Sequence, residues 1–486
     1  MKVSFKIILA ILLLIYLYLG ISYSKKQGFW HDEIYTLTFL KGVSVYNFDG
    51  GIWSAKDSLY DVGYFKDILK HDNFYSNFSI QILHEGHPPL YFILLKLWSY
   101  AFGYSEVALR SFSIICGLLS FLVLFNLTRK HSKKTYTPWI VLLMVMFNPF
   151  LFYFFAEARM YALAFLFATL SFRYWLDYQD DNKIKTKAFI LFSLFSASLL
   201  YTHYYGLFYL STLAFIELLK FGIKRSLFNY VIPVILFLPW CFLIRYQLHF
   251  HQVHWTDGII TFRESVFGYF DSLSQLFISP MGPSLIYEKA ILILIIIISS
   301  IILLILKEQI VVLILYLSIS IYGIQIFLFD QIVGHHSILV PRYYLFSIIF
   351  IYWFFYKFID SLKSRMLFLI PLSYLLISGY VIYKVYIIER SPKQMFREVA
   401  GYLDGKFDSK RRILIIEPEG PMIFGVAYYL QNNFKIVPAS RAPKLIDPTT
   451  IYIDEMLGVI NDENKLHTEQ QSKLELIPFV GISLYK

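Results

Sequence analysis

Apolar residues gather in eleven long runs, at about 5–23, 107–128, 137–156, 160–177, 188–202, 204–220, 227–246, 289–306, 309–329, 339–357 and 366–387. They are read as eleven candidate membrane spans. The basic residues between them test the orientation. With Lys2 and Lys6 inside, the inside loops carry Arg129, Lys130, Lys133 and Lys134, then Lys183, Lys185 and Lys187, then Lys220, Lys224 and Arg225, then Lys307, then Lys357, Lys363 and Arg365. The short outside turns near 156–160, 203–206 and 331–342 hold one, none and one Arg. That alternation follows the positive-inside rule throughout.

A twelfth apolar stretch, 88–103, would break the parity if it crossed. It is short and carries Lys96 in its middle. It is therefore expected to lie along the outer interface as an amphipathic helix. Further short surface helices are expected within 36–83, and another over 263–279 inside the outer loop 247–288. After the last run the pattern changes. Short apolar runs such as Ile413-Leu414-Ile415-Ile416 and Ile451-Tyr452-Ile453 alternate with helix-like stretches at 392–405 and 421–431. Strands alternating with helices indicate a small α/β domain. The organisation expected is a membrane domain over 1–387, with an outer loop over 24–106, and an extracytoplasmic α/β domain over 388–486.

Composition agrees with the pattern. Of 486 residues 57% are hydrophobic and 16% charged, with mean hydropathy +0.56. That is a polytopic membrane protein. The net charge of +10 is spread between apolar runs, which suits an anionic lipid surface and argues against nucleic acid as a partner. Cys116 and Cys241 both fall in apolar runs, so no disulfide framework is expected. The first run has a basic start but no small-residue cleavage site, and is read as a signal anchor.

Chemistry concentrates at the outer ends of the runs. In order these are His31-Asp32-Glu33; His84-Glu85-Gly86-His87-Pro88-Pro89; Glu157-Ala158-Arg159-Met160-Tyr161; His203-Tyr204-Tyr205; and Pro341-Arg342-Tyr343-Tyr344. Ionisable groups at membrane depth are costly and are functional candidates. Adjacent Asp32 and Glu33 admit two readings: a general base near a cation or metal, or the capped start of a helix. Glu157 and Arg159 admit a structural ion pair, and Arg342 a snorkelling side chain. His31, Glu85, His87 and His203 together are the candidate ligands for a divalent cation, with no helical spacing to support them.

The order and spacing of these five motifs resemble bacterial membrane glycosyltransferases of family 39, over about residues 1 to 390. The chain is similar to protein O-mannosyltransferases and lipid A aminoarabinose transferases, of the GT-C fold class. The resemblance implies an all-α membrane fold and a polyprenyl-phosphate-linked sugar donor, with no required cofactor. It implies a multi-pass protein of the cell inner (plasma) membrane whose active site faces outward. It carries Asp32 and Glu33 over as the catalytic acids, with Asp32 as general base. Arg342 and Arg159 fall to the donor phosphate, and Glu157, Glu85, His87, His203, Tyr161 and Tyr343 support the substrate. An extracytoplasmic lipid, glycan or protein is the expected acceptor, attacked with inversion. This chain has His87 where the aminoarabinose transferases have Lys before the two prolines. The alternatives are a lipid-linked glycan ligase or polymerase and, from another class, a transporter. A transporter would show internal repeats and midplane polar sites, and neither is evident.

Overall fold

The computed structural model describes residues 2–43, 60–179, 186–250, 258, 260–277, 286–362, 368–388, 396–407, 413–417, 421–438, 450–455, 476–479 and 482–485. Among them nineteen α-helices follow in order: α1 Lys2–Lys26, α2 His31–Lys41, α3 Val62–Lys70, α4 Phe74–His84, α5 Leu90–Phe102, α6 Glu106–His131, α7 Thr137–Met146, α8 Pro149–Phe155, α9 Tyr161–Gln179, α10 Thr186–Leu200, α11 Gly206–Phe221, α12 Ile223–Phe250, α13 Phe262–Gln275, α14 Ile286–Ile305, α15 Gln309–Val333, α16 Ser347–Ser361, α17 Leu369–Val381, α18 Phe396–Lys406 and α19 Pro421–Tyr429. Each of the eleven apolar runs is helical over most of its length. Among the described residues Lys6–Lys26, Glu106–His131, Phe228–Gln247 and Gln309–Val333 are long and apolar enough to cross a bilayer. Helices α7 and α8 make a fifth if taken as one bent span.

The chain divides into two compact units. The first comprises Met1–Tyr23, Glu85–Leu94 and Leu109–Ser391; the second comprises Ser24–His84, Leu95–Ala108 and Pro392–Lys486.

The first unit is helical. Neighbouring helices α9 and α10, α11 and α12, and α15 and α16 pack against each other, and α11 also meets α15. The run expected at 137–156 is broken by 59° between α7 and α8. Asn148-Pro149 explains the break. Pro149 has no N–H to give the preceding turn. Asn148 caps the new helix, accepting from the Leu151 amide at 2.7 Å, and its own amide donates to the Leu276 carbonyl at 2.9 Å and the Tyr374 hydroxyl at 3.1 Å. These bonds keep a fully buried amide satisfied. The 263–279 expectation corresponds to α13, whose start is capped reciprocally by Thr261 and Glu264.

The second unit contains a six-stranded sheet in the order β1-β3-β2-β4-β6-β5. The strands are β1 Tyr60–Asp61, β2 Ile413–Glu417, β3 Lys435–Pro438, β4 Thr450–Glu455, β5 Leu476–Phe479 and β6 Ile482–Tyr485. Strand β2 pairs in parallel with both β3 and β4, Ile413 lying opposite Lys435 and Thr450. The other pairs are antiparallel. Parallel neighbours need a crossover, and α19 supplies it between β2 and β3. Helix α19 buries Met422, Ile423, Phe424, Val426 and Ala427 completely and packs against α2, α3 and α18. The unit therefore takes an edge strand and helices from the first loop, beyond the stretch 388–486 drawn from sequence. Residues 44–59 of the 36–83 region and the 388–395 junction, apart from Ile388, lie outside the described residues.

The stretch expected to lie along the interface forms helix α5. Thirteen residues rise only about 20 Å, short of a bilayer core. Lys96, 1% exposed, reaches the Asp72 carboxylate at 2.7 Å, the Leu40 carbonyl at 2.8 Å and the Tyr104 hydroxyl at 2.8 Å. Lys96 and the Phe74 amide hold the Asp72 carboxyl below its usual range, against the upward push of burial.

Candidate functional site

Four of the five sequence motifs sit on turns of the first unit. Glu85-Gly86-His87 leads through Pro88-Pro89 into α5. Glu157 to Met160 is the turn between α8 and α9. His203 is the turn between α10 and α11. Arg342 and Tyr343 lie in the 3₁₀ turn Pro341–Tyr344 ahead of α16. Each turn exists because an apolar helix ends there and the chain reverses.

These turns converge. The His87 imidazole Nδ1 lies 2.6 Å from Glu85 Oε1, and an Arg159 guanidinium nitrogen lies 4.0 Å from the same oxygen. The His87 and His203 rings meet edge-on at 5.7 Å. The His203 ring also faces Tyr161 at 6.0 Å and Tyr343 at 6.4 Å. Tyr343 stacks on Tyr205 at 4.1 Å, and the Arg342 guanidinium lies 5.8 Å from the Tyr343 ring. Glu85, Arg159 and His203 are buried; His87, Arg342 and Tyr343 are half-buried. Glu157 is fully buried and acts electrostatically on Tyr153.

His203 reports the charge of this pocket. Burial pushes its pKa well below the usual histidine value, and His87, Arg342 and Arg159 push it further down. All three neighbours are cationic or can become so. His203 is thus neutral, and its tautomer follows from geometry. The Tyr205 amide donates to His203 Nδ1 at 3.2 Å, which leaves the proton on Nε2. A neutral donor imidazole beside two guanidinium groups suits an anion.

The backbone around the pocket is fixed by residues that carry no motif. The Gln247 amide, on α12, donates to the carbonyls of Glu85 at 2.9 Å and His87 at 3.3 Å. Its oxygen accepts from the Tyr204 hydroxyl, which in turn accepts from Trp240 at 2.9 Å. On the other side Asp330 accepts from the Ile338 amide at 2.7 Å, and Tyr322 donates to the Tyr343 carbonyl at 2.6 Å. Sequence reasoning missed these. It also missed Arg110, 1% exposed on α6. Arg110 shares a helix face with Ser113, whose hydroxyl donates to the Arg159 carbonyl at 3.3 Å. The available signal was a lone polar residue inside an apolar run.

The fifth motif belongs to the second unit. Trp30 is the N-cap of α2, and its carbonyl accepts from the amides of Glu33 and Ile34, each at 2.9 Å. The fully buried Glu33 carboxylate reaches back to the Trp30 amide at 3.4 Å. The N-cap is thus Trp30 and not Asp32, and within the acidic pair the capping bond falls to Glu33. Asp32 stands beside it, half-buried in the first turn, where the helix dipole favours a carboxylate. Helix α2 ends at Gly42, whose φ of 72° and tight approach to Asn73 leave no room for a side chain. His31 is half-exposed with its ring 5.1 Å from Tyr35.

Among the described residues no three His, Cys, Asp or Glu side chains group in a way that would hold a metal ion. The expected set of His31, Glu85, His87 and His203 therefore does not form a ligand cluster. Glu85 and His87 pair with each other, and His203 spends Nδ1 on the Tyr205 amide.

No family model and no curated protein matches the chain. Among solved structures, ArnT from Cupriavidus metallidurans bound to undecaprenyl phosphate aligns with a TM-score of 0.53 at 11% identity, covering 100% of this chain and 98% of that one. ArnT from the same organism in the apo state aligns at 0.49 with 12% identity, covering 82% and 87%. An oligosaccharyltransferase from Archaeoglobus fulgidus, in complex with Zn and sulfate, aligns at 0.44 with 12% identity, covering 92% and 68%. The full-length likeness to the first of these gives the chain its fold, the GT-C fold.

Proposed function

We propose that this chain is a membrane glycosyltransferase that moves a sugar from a polyprenyl-phosphate donor to an extracytoplasmic acceptor. The observation that carries the reading is the convergence of four turns on His203, where Arg159 and Arg342 act on one neutral, donating imidazole. In the reaction, negative charge builds on the departing lipid phosphate. Guanidinium groups already in place stabilise it without reorganisation. Arg342 and Arg159 take the phosphate, and His203 Nε2 adds a neutral donor. The Tyr205–Tyr343 stack offers an aromatic wall for the sugar. Asp32 is the general base: it takes the acceptor hydroxyl proton as the oxygen attacks the anomeric carbon, and polyprenyl phosphate leaves with inversion. Glu33 serves Asp32 by holding the start of α2. The eleven-span topology, with the motif-bearing ends outside and the inner membrane as location, belongs to the same proposal.

The fold supports the reading because a protein of that fold is described as bound to undecaprenyl phosphate. The test is a panel of synthetic undecaprenyl-phosphate sugars (aminoarabinose, mannose, glucose and galactose) incubated with purified protein and envelope lipid. Release of undecaprenyl phosphate from at least one donor is expected. Saturable transport of a solute into vesicles, with no donor cleaved, would replace the enzyme with a transporter.

A further inference from the structure

Three residues, Gln27 to Phe29, link α1 to the N-cap of α2, and the second unit grips them and the last turn of α1 from its C-terminal stretch. The Tyr429 hydroxyl, at the end of α19, accepts from the Phe29 amide at 2.6 Å and donates to Glu106 Oε1 at 2.6 Å. Arg397, on α18, pairs with the same Glu106 oxygen at 2.6 Å. Its guanidinium also donates to the Lys25 carbonyl at 3.3 Å and the Gln27 carbonyl at 3.5 Å. Positions 25, 27 and 29 are thus held by two side chains tied to one carboxylate. Gly28 allows the approach: a Cβ there would stand 3.2 Å from both Tyr429 Oη and Arg397 Cβ. The Phe29 side chain is fully buried with its ring 5.7 Å from Tyr428. Burial and the adjacent Glu106 carboxylate raise the Tyr429 phenol well above its usual value, so it keeps the proton that it donates.

We propose that Tyr429, backed by Glu106 and Arg397, is a positioning residue that sets the angle at which α2 begins and so orients the Asp32 carboxylate. The C-terminal α/β stretch then has a task in the reaction: it is the clamp on the acidic motif. This inference rests on the reading of Asp32 as general base. The grip itself does not depend on that reading.

The substitution Tyr429→Phe removes one hydroxyl and keeps the ring. Hydrogen–deuterium exchange on the full-length protein reads the grip directly. The Phe29 amide should exchange about tenfold faster in Y429F, while β2 and β4 keep their protection. With a donor that the wild type accepts from the panel above, kcat should fall roughly tenfold. KM and the affinity for undecaprenyl phosphate should stay within about twofold. E106Q keeps an acceptor for Tyr429 but removes the negative charge facing Arg397, and should give the same pattern at smaller size; it also stands in should Y429F lose protection across the sheet. Unchanged exchange at Phe29 in both variants would overturn the clamp. Faster exchange with unchanged kcat would overturn its role in orienting Asp32. D32N, measured alongside, separates the two readings: if D32N keeps full turnover, the base assignment fails while the exchange result still decides the clamp.

Discussion

Two buried charge clusters, one in each unit, are built differently. Around Lys96 three ammonium protons meet the Asp72 carboxylate, the Leu40 carbonyl and the Tyr104 hydroxyl, all within 2.8 Å. Every Lys96 proton has an acceptor, and Lys41 adds a second cation that acts on both Asp72 and Lys96. Around His203 the charged groups act instead on one neutral imidazole. Arg159, Arg342 and His87 all raise the local potential, and Arg159 stands 4.0 Å from the Glu85 carboxylate, already engaged at 2.6 Å by His87. A lysine whose protons are all taken up by its neighbours fixes a fold; guanidinium groups that act on a neutral donor imidazole on packed turns suit an anion. Burial alone does not separate the two, because Lys96 is as buried as His203. What the cations act on does.

Mutations sharpen that contrast. D32N should have the largest effect, lowering turnover by about 10²–10⁴-fold with donor affinity kept, because an amide cannot take the proton. R342A should weaken undecaprenyl phosphate binding about ten- to hundredfold, with the thermal midpoint little changed. K96M should do the reverse. It should cost about 2–3 kcal/mol of stability, less than a fully buried pair because Asp72 keeps solvent contact, and leave lipid-phosphate affinity unchanged. If K96M weakened binding and R342A weakened the fold, the two clusters would have been assigned the wrong way round. Q247L removes the two donors that hold the 85–87 backbone. It should cost about 1–2 kcal/mol and raise KM for the donor, checked by melting and by steady-state kinetics.

The smallest effect is that of pH. The folded-state pKa of His203 is depressed, so this group contributes stability above the unfolded value of about 6.5. As pH falls below that value the unfolded chain takes up a proton that the folded chain refuses, and stability declines. Thermal midpoints between pH 8 and 5 should show this slope, and H203Q should flatten it.

Much of the fold was legible because apolar runs of helical length leave a strong pattern. The alternation of basic loops gave a consistent orientation for them, and the short α5 was set apart by length and by Lys96. What escaped depends on partners distant in sequence. Tyr60–Asp61 is too short to show a strand period, and its partner β3 lies far along the chain. The α7–α8 break was signalled by Asn148-Pro149 but reads equally as a kink. In the site, the turn motifs were legible because acids and histidines gather at one set of run ends, whereas the other set carries mainly lysine and arginine. Gln247 and Arg110 were not, since a polar residue within or beside an apolar run does not name its partner. The acidic pair was half legible. Capping was one of its two readings, and the structure gives that role to Glu33 through the Trp30 amide.

Equilibrium binding tests the central claim most directly. Detergent-purified wild-type protein and R342A are each titrated with undecaprenyl phosphate and with uncharged undecaprenol. The account predicts saturable binding of the phosphate by the wild type, at least about tenfold weaker binding by R342A, and no such difference between the two proteins for undecaprenol. Equal affinity of wild type and R342A for undecaprenyl phosphate, or equal affinity of the wild type for the alcohol and the phosphate, would contradict it.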